Sequence, residues 1–179
     1  MLTDLGLLLI RLTLGPLFFG HGAQKLFGWF GGAGPAGTAR TMASLGLRPP
    51  RFWAIVAGVV ELVGGTLFGL GLLNPLGSLC ITASMLTAIA RVHWPRFWVQ
   101  EGGIEYPLVN VVVVNAVALA EGGRYSLDRL LRLRLPVPAS LLLGLGLVAG
   151  AVRALHVANP PRAARAEAVG GQPREARAG

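Results

Sequence analysis

The feature that most constrains the fold is a series of apolar stretches, most of them long enough to cross a bilayer. A transmembrane helix needs about 20 apolar residues, because it must span about 30 Å of hydrocarbon at about 1.5 Å per residue. The candidate spans are Leu5–Phe30, Phe52–Leu73, Leu76–Trp94, Tyr106–Ala120 and Pro136–Val152. The valine-rich fourth stretch is read as helix because a lone strand cannot satisfy its backbone in lipid. The sequence therefore predicts an all-α polytopic transmembrane bundle, with a four-helix core and a fifth helix.

Composition also indicates that lipid is the solvent. Of the 179 residues, 53% are apolar and only 13% are charged, about half the charged fraction of a typical soluble domain. The net charge of +8 comes mainly from arginines in the connecting segments and the tail. Membrane proteins place cations there, beside anionic headgroups. Without a basic face on a soluble fold, nucleic-acid binding is not predicted, and the expected partner is the lipid bilayer.

The predicted domain organisation has three parts. Residues 1–128 form the four-helix membrane core, in which Thr38–Leu45 is a candidate short interfacial helix within a Gly/Pro-rich connector. Residues 129–157 form a surface-lying segment followed by the fifth transmembrane helix. Residues 158–179 are expected to be a disordered basic tail, because their Ala, Arg, Gly and Pro content cannot bury enough apolar surface to fold.

Three ionisable residues share one stripe of the first span. They belong to a set of residues that recur at spacings of three and four, which places them on one helix face: Arg11, Leu14, Gly15, Phe18, His21, Gly22 and Lys25. Facing lipid, each charge would cost roughly 2.5–3.5 kcal/mol. We therefore expect this stripe to face protein, with the glycines allowing a neighbouring backbone to come close.

The second span carries one acid, Glu61, near its middle. An ionised carboxylate at that depth needs a cation, and the first span is expected to be an antiparallel neighbour. Either Arg11 or His21 reaches Glu61 through its side chain in this arrangement. Without such a partner, Glu61 is expected to be protonated, because desolvation disfavours the charged form.

Polar residues from several helices are predicted to meet at one membrane face. The first span ends there, the second begins, the third ends and the fourth begins. The residues at this level are His21, Gln24, Lys25, Arg91, His93, Glu105, Tyr106 and Asn110. The opposite face is expected to hold little comparable polarity at membrane depth. A purely structural role for this cluster stays open, because buried ion pairs also fix helix register and long cations extend to the interface.

The histidines and the cysteine do not favour metal binding or dithiol chemistry. His21 and His93 with an acid have the composition of a metal site, but the chain contains no HxxH or HxxxH spacing. No metal ligand is predicted. Cys80 stands alone in an apolar run and cannot form an internal disulfide, so it is interpreted as a small buried hydrophobe.

Five short motifs, in this order and spacing, resemble the DoxX family of membrane proteins across Leu5–Asp128. They are residues 20–28 (GHGAQKLFG), 61–65 (ELVGG), 69–75 (GLGLLNP), 102–107 (GGIEYP) and 123–128 (GRYSLD). The resemblance implies a four-helix membrane core that is often linked to redox work. The related DoxD proteins form the quinone-reducing part of a thiosulfate dehydrogenase, and other members are thought to assemble with secreted thiol- or superoxide-handling enzymes.

Residues and resemblance together favour a membrane component of an oxidoreductase system, multi-pass in the cytoplasmic (inner) membrane of a prokaryote. It would bind a quinone or a similar lipid-soluble carrier between its helices and work with a redox partner protein. The catalytic candidates, which hold or move protons, are His21, Glu61, Glu105 and Tyr106. The carrier-binding candidates are Lys25, Arg91, His93 and Asn110. The alternative is a non-enzymatic scaffold or a small-solute passage, and self-association is left open.

Overall fold

A computed structural model describes residues 1–133 and 135 of the chain, and every regular element in this part is helical. The helices are α1 (Leu2–Phe27), α2 (Gly34–Ser44), α3 (Pro50–Leu70), α4 (Leu76–Ala88), α5 (Glu105–Leu119) and α6 (Leu127–Leu131). The helix α4 continues directly into a π-helical turn, Ile89–His93. The prediction of an all-α bundle is confirmed. The predicted fifth span and tail lie outside the described residues.

Three of these helices meet the length and hydropathy needed to cross a membrane. They are α1, α3, and α4 taken together with its π-helical turn. The apolar helix α5 has 15 residues, which gives it a length of about 22 Å. It is therefore shorter than the hydrocarbon core of about 30 Å, in keeping with the short fourth stretch seen in the sequence.

The helices α1 and α3 pack with their backbones in contact, and glycines make this possible. A Cβ atom at Gly22 would lie 2.4 Å from the Leu62 backbone nitrogen. One at Gly65 would lie 2.4 Å from the Phe19 backbone nitrogen. Lipid supplies no hydrophobic drive between helices, so such close van der Waals contact is a main source of their association. The predicted close packing at the glycines is confirmed.

An apolar core lies between α1, α3, α4 and α5. Its buried residues are Phe18, Phe68, Ile81, Met85, Val114 and Val117. Along α1, Phe18 stands between Arg11 and Lys25, so the core separates polar groups at the two ends of the bundle. One end holds the C-terminus of α1, the N-terminus of α3 and the C-terminus of α4, as predicted.

The helix α2 lies beside α1 and α3 at this same end. Its inner side contributes Met42 and, just beyond its C-terminus, Leu45, which pack with Trp53 around the buried Leu47. Arg40 points outward and is exposed. A helix therefore exists where the sequence suggests Thr38–Leu45, but it begins earlier, at Gly34, and ends at Ser44.

Candidate functional site

The centre of the candidate site is the carboxylate of Glu61 in α3, which is buried within the chain. The ammonium group of Lys25 in α1 donates a hydrogen bond to its Oε2 atom. The Ser84 hydroxyl in α4 donates to its Oε1 atom at 2.8 Å. Both carboxylate oxygens of Glu61 are thus engaged, and these two contacts link α3 to α1 and to α4. A buried pair is tolerated when its partners are satisfied in this way.

The expectation that Arg11 or His21 would reach Glu61 is wrong, because Lys25 takes that place. The register of α1 against α3 explains the difference. Gly22 packs on Gly58, whose carbonyl oxygen would lie 2.7 Å from a Cβ at Gly22. A Cβ at Gly22 would also lie 2.4 Å from the backbone nitrogen of Leu62, so the adjacent Glu61 stands near the level of Gly22. Lys25 stands about one turn further along α1, within side-chain reach of Glu61. Arg11 lies 14 residues from Lys25, or about 21 Å along the helix.

A cavity of about 390 Å³ opens beside the ion pair. This volume lies in the range of about 300–1,000 Å³ that small-molecule sites occupy. Its polar lining consists of Lys25, Thr41, Glu61, Ser84, Thr87 and Arg91. The remaining lining residues are apolar side chains from α2, α3 and α4 and the segments next to them, among them Met42, Leu47 and Trp53. A mostly apolar pocket with a few convergent polar groups has the character of a ligand site.

Arg91 joins this cavity from the π-helical turn that ends α4. Turns of this kind are rare and are frequent at functional sites. The structure therefore brings together Lys25, Glu61 and Arg91, three of the residues that the sequence predicts to lie in one site.

His21 does not join them, and the prediction that it faces the bundle interior is wrong. It lies exposed on the outer surface of α1, with its Nδ1 atom 3.2 Å from the Oε1 atom of Gln24. The buried face of α1 is centred on Phe18 and Gly22. His21 is one residue before Gly22, which turns its side chain about 100° away from that face.

His93 and Glu105 hold the connector between α4 and α5, and neither lines the cavity. The Nδ1 atom of His93 donates to the Gly102 carbonyl oxygen at 2.7 Å. The Oε2 atom of Glu105 accepts a hydrogen bond from the Val99 backbone nitrogen at 2.9 Å. These bonds satisfy backbone groups of the connector and fix its path.

Tyr106 and Asn110, both in α5, also stand apart from the cavity. The Tyr106 side chain is half exposed on the outside of the bundle. Asn110 is buried, and its amide donates to the Tyr106 carbonyl oxygen at 3.2 Å. The predicted cluster thus divides into a cavity group and a set of residues that shape α5 and its connector.

Sequence reasoning missed Ser84 and the part that α2 plays in the cavity wall. A signal for Ser84 was present, because Ser84, Thr87 and Arg91 are spaced by three and four residues. This spacing puts their side chains on one face of α4. No comparable signal marks Thr41 or Leu47, because their place depends on how a short helix folds back over its neighbours.

The opposite end of the bundle is also polar, contrary to expectation. Arg11 is 2% exposed, and its Nη1 and Nη2 atoms donate to the carbonyl oxygens of Gly122 and Tyr125 at 2.6 and 2.9 Å. Nearby, the Asp128 carboxylate accepts hydrogen bonds from the backbone nitrogens of residues 73–74 at 2.8 and 2.7 Å. The loop after α5 is thereby fastened to α1 and α3.

Gly71 explains why glycine recurs at this end. It ends α3 with a φ of 63°, in the left-handed region that glycine adopts without strain. A Cβ atom there would lie 2.5 Å from the Nη1 atom of Arg11. Glycine at this position therefore leaves the space that the buried guanidinium occupies.

Comparison with known proteins found a matching family and a similar relative. The DoxX family model matches residues 6–94, a region that contains Arg11, Lys25, Glu61, Ser84 and Arg91. The chain is 34% identical over 106 residues to "Putative oxidoreductase CatD" of Bacillus subtilis (strain 168). That alignment covers 59% of this chain and 73% of the relative. No solved structure matches the chain significantly. The chain belongs to the DoxX family of integral membrane proteins.

Proposed function

We propose that this protein is the membrane component of an oxidoreductase system and binds a quinone, or a similar lipid-soluble carrier, in the cavity beside Lys25 and Glu61. The observation that carries the proposal is a largely apolar cavity with an ion pair and an arginine at one place in its wall. The similarity to a relative named as a putative oxidoreductase supports a redox function. We place the protein in the cytoplasmic membrane of a prokaryote, working with a partner protein that supplies electrons.

The lining suits such a carrier in both its apolar and its polar parts. The aliphatic and aromatic side chains of the wall can pack against the carrier's hydrophobic ring and the first part of its hydrocarbon chain. An ammonium group has three N–H donors, and one of those on Lys25 is engaged by Glu61. The Lys25 side chain is 26% exposed against 8% for Glu61. The lysine is therefore the member of the pair that can donate to a carrier oxygen.

Each polar residue then has a distinct task. A bound quinone accepts two electrons together with two protons. Lys25 and Arg91 donate hydrogen bonds to an oxygen in the cavity, where a low dielectric strengthens such contacts. Glu61 balances the charge of Lys25 and can hold a proton at Oε2, and Ser84 keeps the carboxylate oriented through Oε1. In this proposal His93 and Glu105 support the connector.

The passage alternative is not favoured by the packing. Between the cavity and the polar end at Arg11 stand the buried side chains of Phe18, Phe68 and Ile81. A polar solute crossing the bundle would have to displace this core. The scaffold alternative is an outcome of the binding experiment that follows.

Replacing Arg91 by alanine is expected to weaken quinone binding about tenfold or more. A hydrogen bond to a charged group contributes about 1.5–3 kcal/mol, and 1.4 kcal/mol is about tenfold in affinity. The matched control is Arg96→Ala, because Arg96 is exposed in the connector and donates to the Glu101 carbonyl oxygen at 3.1 Å. The measurement is equilibrium binding of a short-chain quinone to purified protein in lipid nanodiscs.

Both variants are first matched to the unchanged protein for thermal unfolding, so that affinity is compared between folded proteins. Equal affinities for Arg91→Ala and Arg96→Ala would remove Arg91 from the site. If the unchanged protein binds no quinone at any concentration that the nanodisc tolerates, the scaffold function replaces the proposed one.

A further inference from the structure

A second, much smaller cavity lies at the opposite end of the bundle, beside Arg11. Its volume is about 10 Å³, which is about the space that one water molecule needs. Its polar side chains are Arg11, Asn74 and Ser78, from α1, the α3–α4 connection and α4. Ser78 is 2% exposed. The cavity is thus water-sized, polar in part of its wall, and lined by residues of four helices.

Arg11, one of the residues that line this cavity, has one unsatisfied donor. Its Nη1 and Nη2 atoms bind backbone carbonyl oxygens, but the buried Nε atom has no hydrogen-bond partner among the described residues. Leaving a buried donor unpaired costs about 1–3 kcal/mol, and more for a charged group. The residue is 2% exposed, so bulk water does not reach it.

The chemistry of the surrounding groups decides what can bind here. Arginine is a donor only, so the bound species must accept a hydrogen bond from Nε. The nearby acid, Asp128, has both carboxylate oxygens engaged by backbone nitrogens. Ser78 and Asn74 carry side-chain oxygens that can accept in return. A water molecule accepts from one side, donates to the other, and fits the volume.

We infer that the cavity beside Arg11 is a binding site for a single structural water molecule, which accepts from Arg11 Nε and donates to the side-chain oxygen of Ser78. The water joins α1 to α4 at the end where Arg11 already holds the loop after α5. It completes the hydrogen bonding of a buried arginine without a direct ion pair. This inference is independent of quinone binding at the other end.

The test uses the full chain in nanodiscs and follows the Arg11 Nε–H signal by NMR, with the signal assigned by its loss in Arg11→Lys. A cross-relaxation peak from a slowly exchanging water to Nε–H is expected. Ser78→Val should fill the cavity and abolish that peak. The control Ser44→Val changes an exposed serine at the end of α2 and should leave it unchanged.

An observed Nε–H signal without a water peak, or a water peak that survives in folded Ser78→Val, would overturn the inference. If Ser78→Val does not fold, Ser78→Ala takes its place. This variant keeps the cavity but removes the hydroxyl that accepts a hydrogen bond from the water. Because the water is then held less firmly, exchange of the Nε–H proton should become at least severalfold faster. An experimental structure that resolves ordered waters should show one density peak within hydrogen-bond distance of Arg11 Nε and Ser78 Oγ, and a void there would also contradict us.

Discussion

Replacing Gly22 by alanine is expected to give the largest loss of stability among the substitutions proposed for this protein. The added Cβ atom would lie 2.4 Å from the Leu62 backbone nitrogen and 2.7 Å from the Gly58 carbonyl oxygen. Because both atoms belong to the backbone of α3, relief requires the two longest helices to move apart. Overpacking usually costs about 1–3 kcal/mol, and we expect a loss of about 3 kcal/mol or more here. The measurement is the thermal unfolding midpoint of the purified protein in detergent.

Gly20→Ala is the matched control, because a Cβ atom at Gly20 meets no atom within 4 Å. It lies on the same helix and gains about 1 kcal/mol of helix propensity, so its unfolding midpoint should be unchanged or higher. Gly65→Ala repeats the experiment from the α3 side and should resemble Gly22→Ala. If Gly22→Ala were as stable as Gly20→Ala, the close contact of α1 with α3 would be disproved.

Replacing Glu61 by glutamine is expected to give the second large loss of stability. The change keeps the size of the side chain and its contact with Ser84, but it leaves the Lys25 ammonium without its counter-charge. Removing one member of a fully buried pair costs about 3–5 kcal/mol. Since Lys25 keeps 26% of its side-chain exposure, we expect a smaller loss, about 2–3 kcal/mol.

A second substitution separates this electrostatic cause from a packing defect. In the Glu61→Gln background, Lys25→Met removes the unpaired charge while retaining an unbranched apolar chain. Stability should then return to within about 1 kcal/mol of the unchanged protein, because replacing both members of a buried pair is often close to neutral. A double variant less stable than Glu61→Gln alone would show that the pair is not the source of the loss.

The sequence predicts the helices and the face of α1 that packs on α3 well. Both follow from the composition and spacing of residues that lie close together in the chain. Hydropathy and helix length locate α1, α3 and α4, and the spacing of Gly15 and Gly22 identifies the face of α1 that meets α3. The dense packing of that face requires glycine rather than any larger residue. Prediction succeeds where one helix, taken alone, contains the information.

Prediction from the sequence fails where the surroundings of a side chain depend on the register between helices. Arg11, His21 and Lys25 lie within one broad stripe, yet their surroundings differ completely. Arg11 is buried against the loop after α5, His21 is exposed, and Lys25 meets Glu61. Which cation of α1 meets Glu61 depends on the register between α1 and α3, and periodicity within α1 does not determine that register.

The cavity itself is a tertiary feature. Its wall needs α2 to fold back over α3, carrying Met42 and Leu47 with it. Residues 28–33 and 45–49, which flank α2, contain several glycines and a proline. The turns that such residues form do not show in which direction the chain continues. The sequence could therefore name Lys25, Glu61 and Arg91 as site residues without revealing the space that they share.

The most direct measurement of the central claim is to map where a quinone binds. A photoreactive short-chain quinone analogue, irradiated with the purified protein in nanodiscs, should label cavity-wall residues such as Met42, Trp53 and Val56. Unlabelled quinone should compete with this labelling, and Ala57→Trp, which fills the cavity, should abolish it. The control Ile55→Trp, on the exposed side of the same helix, should leave it intact. Labelling confined to lipid-facing residues, or labelling that Ala57→Trp leaves unchanged, would contradict the proposed site.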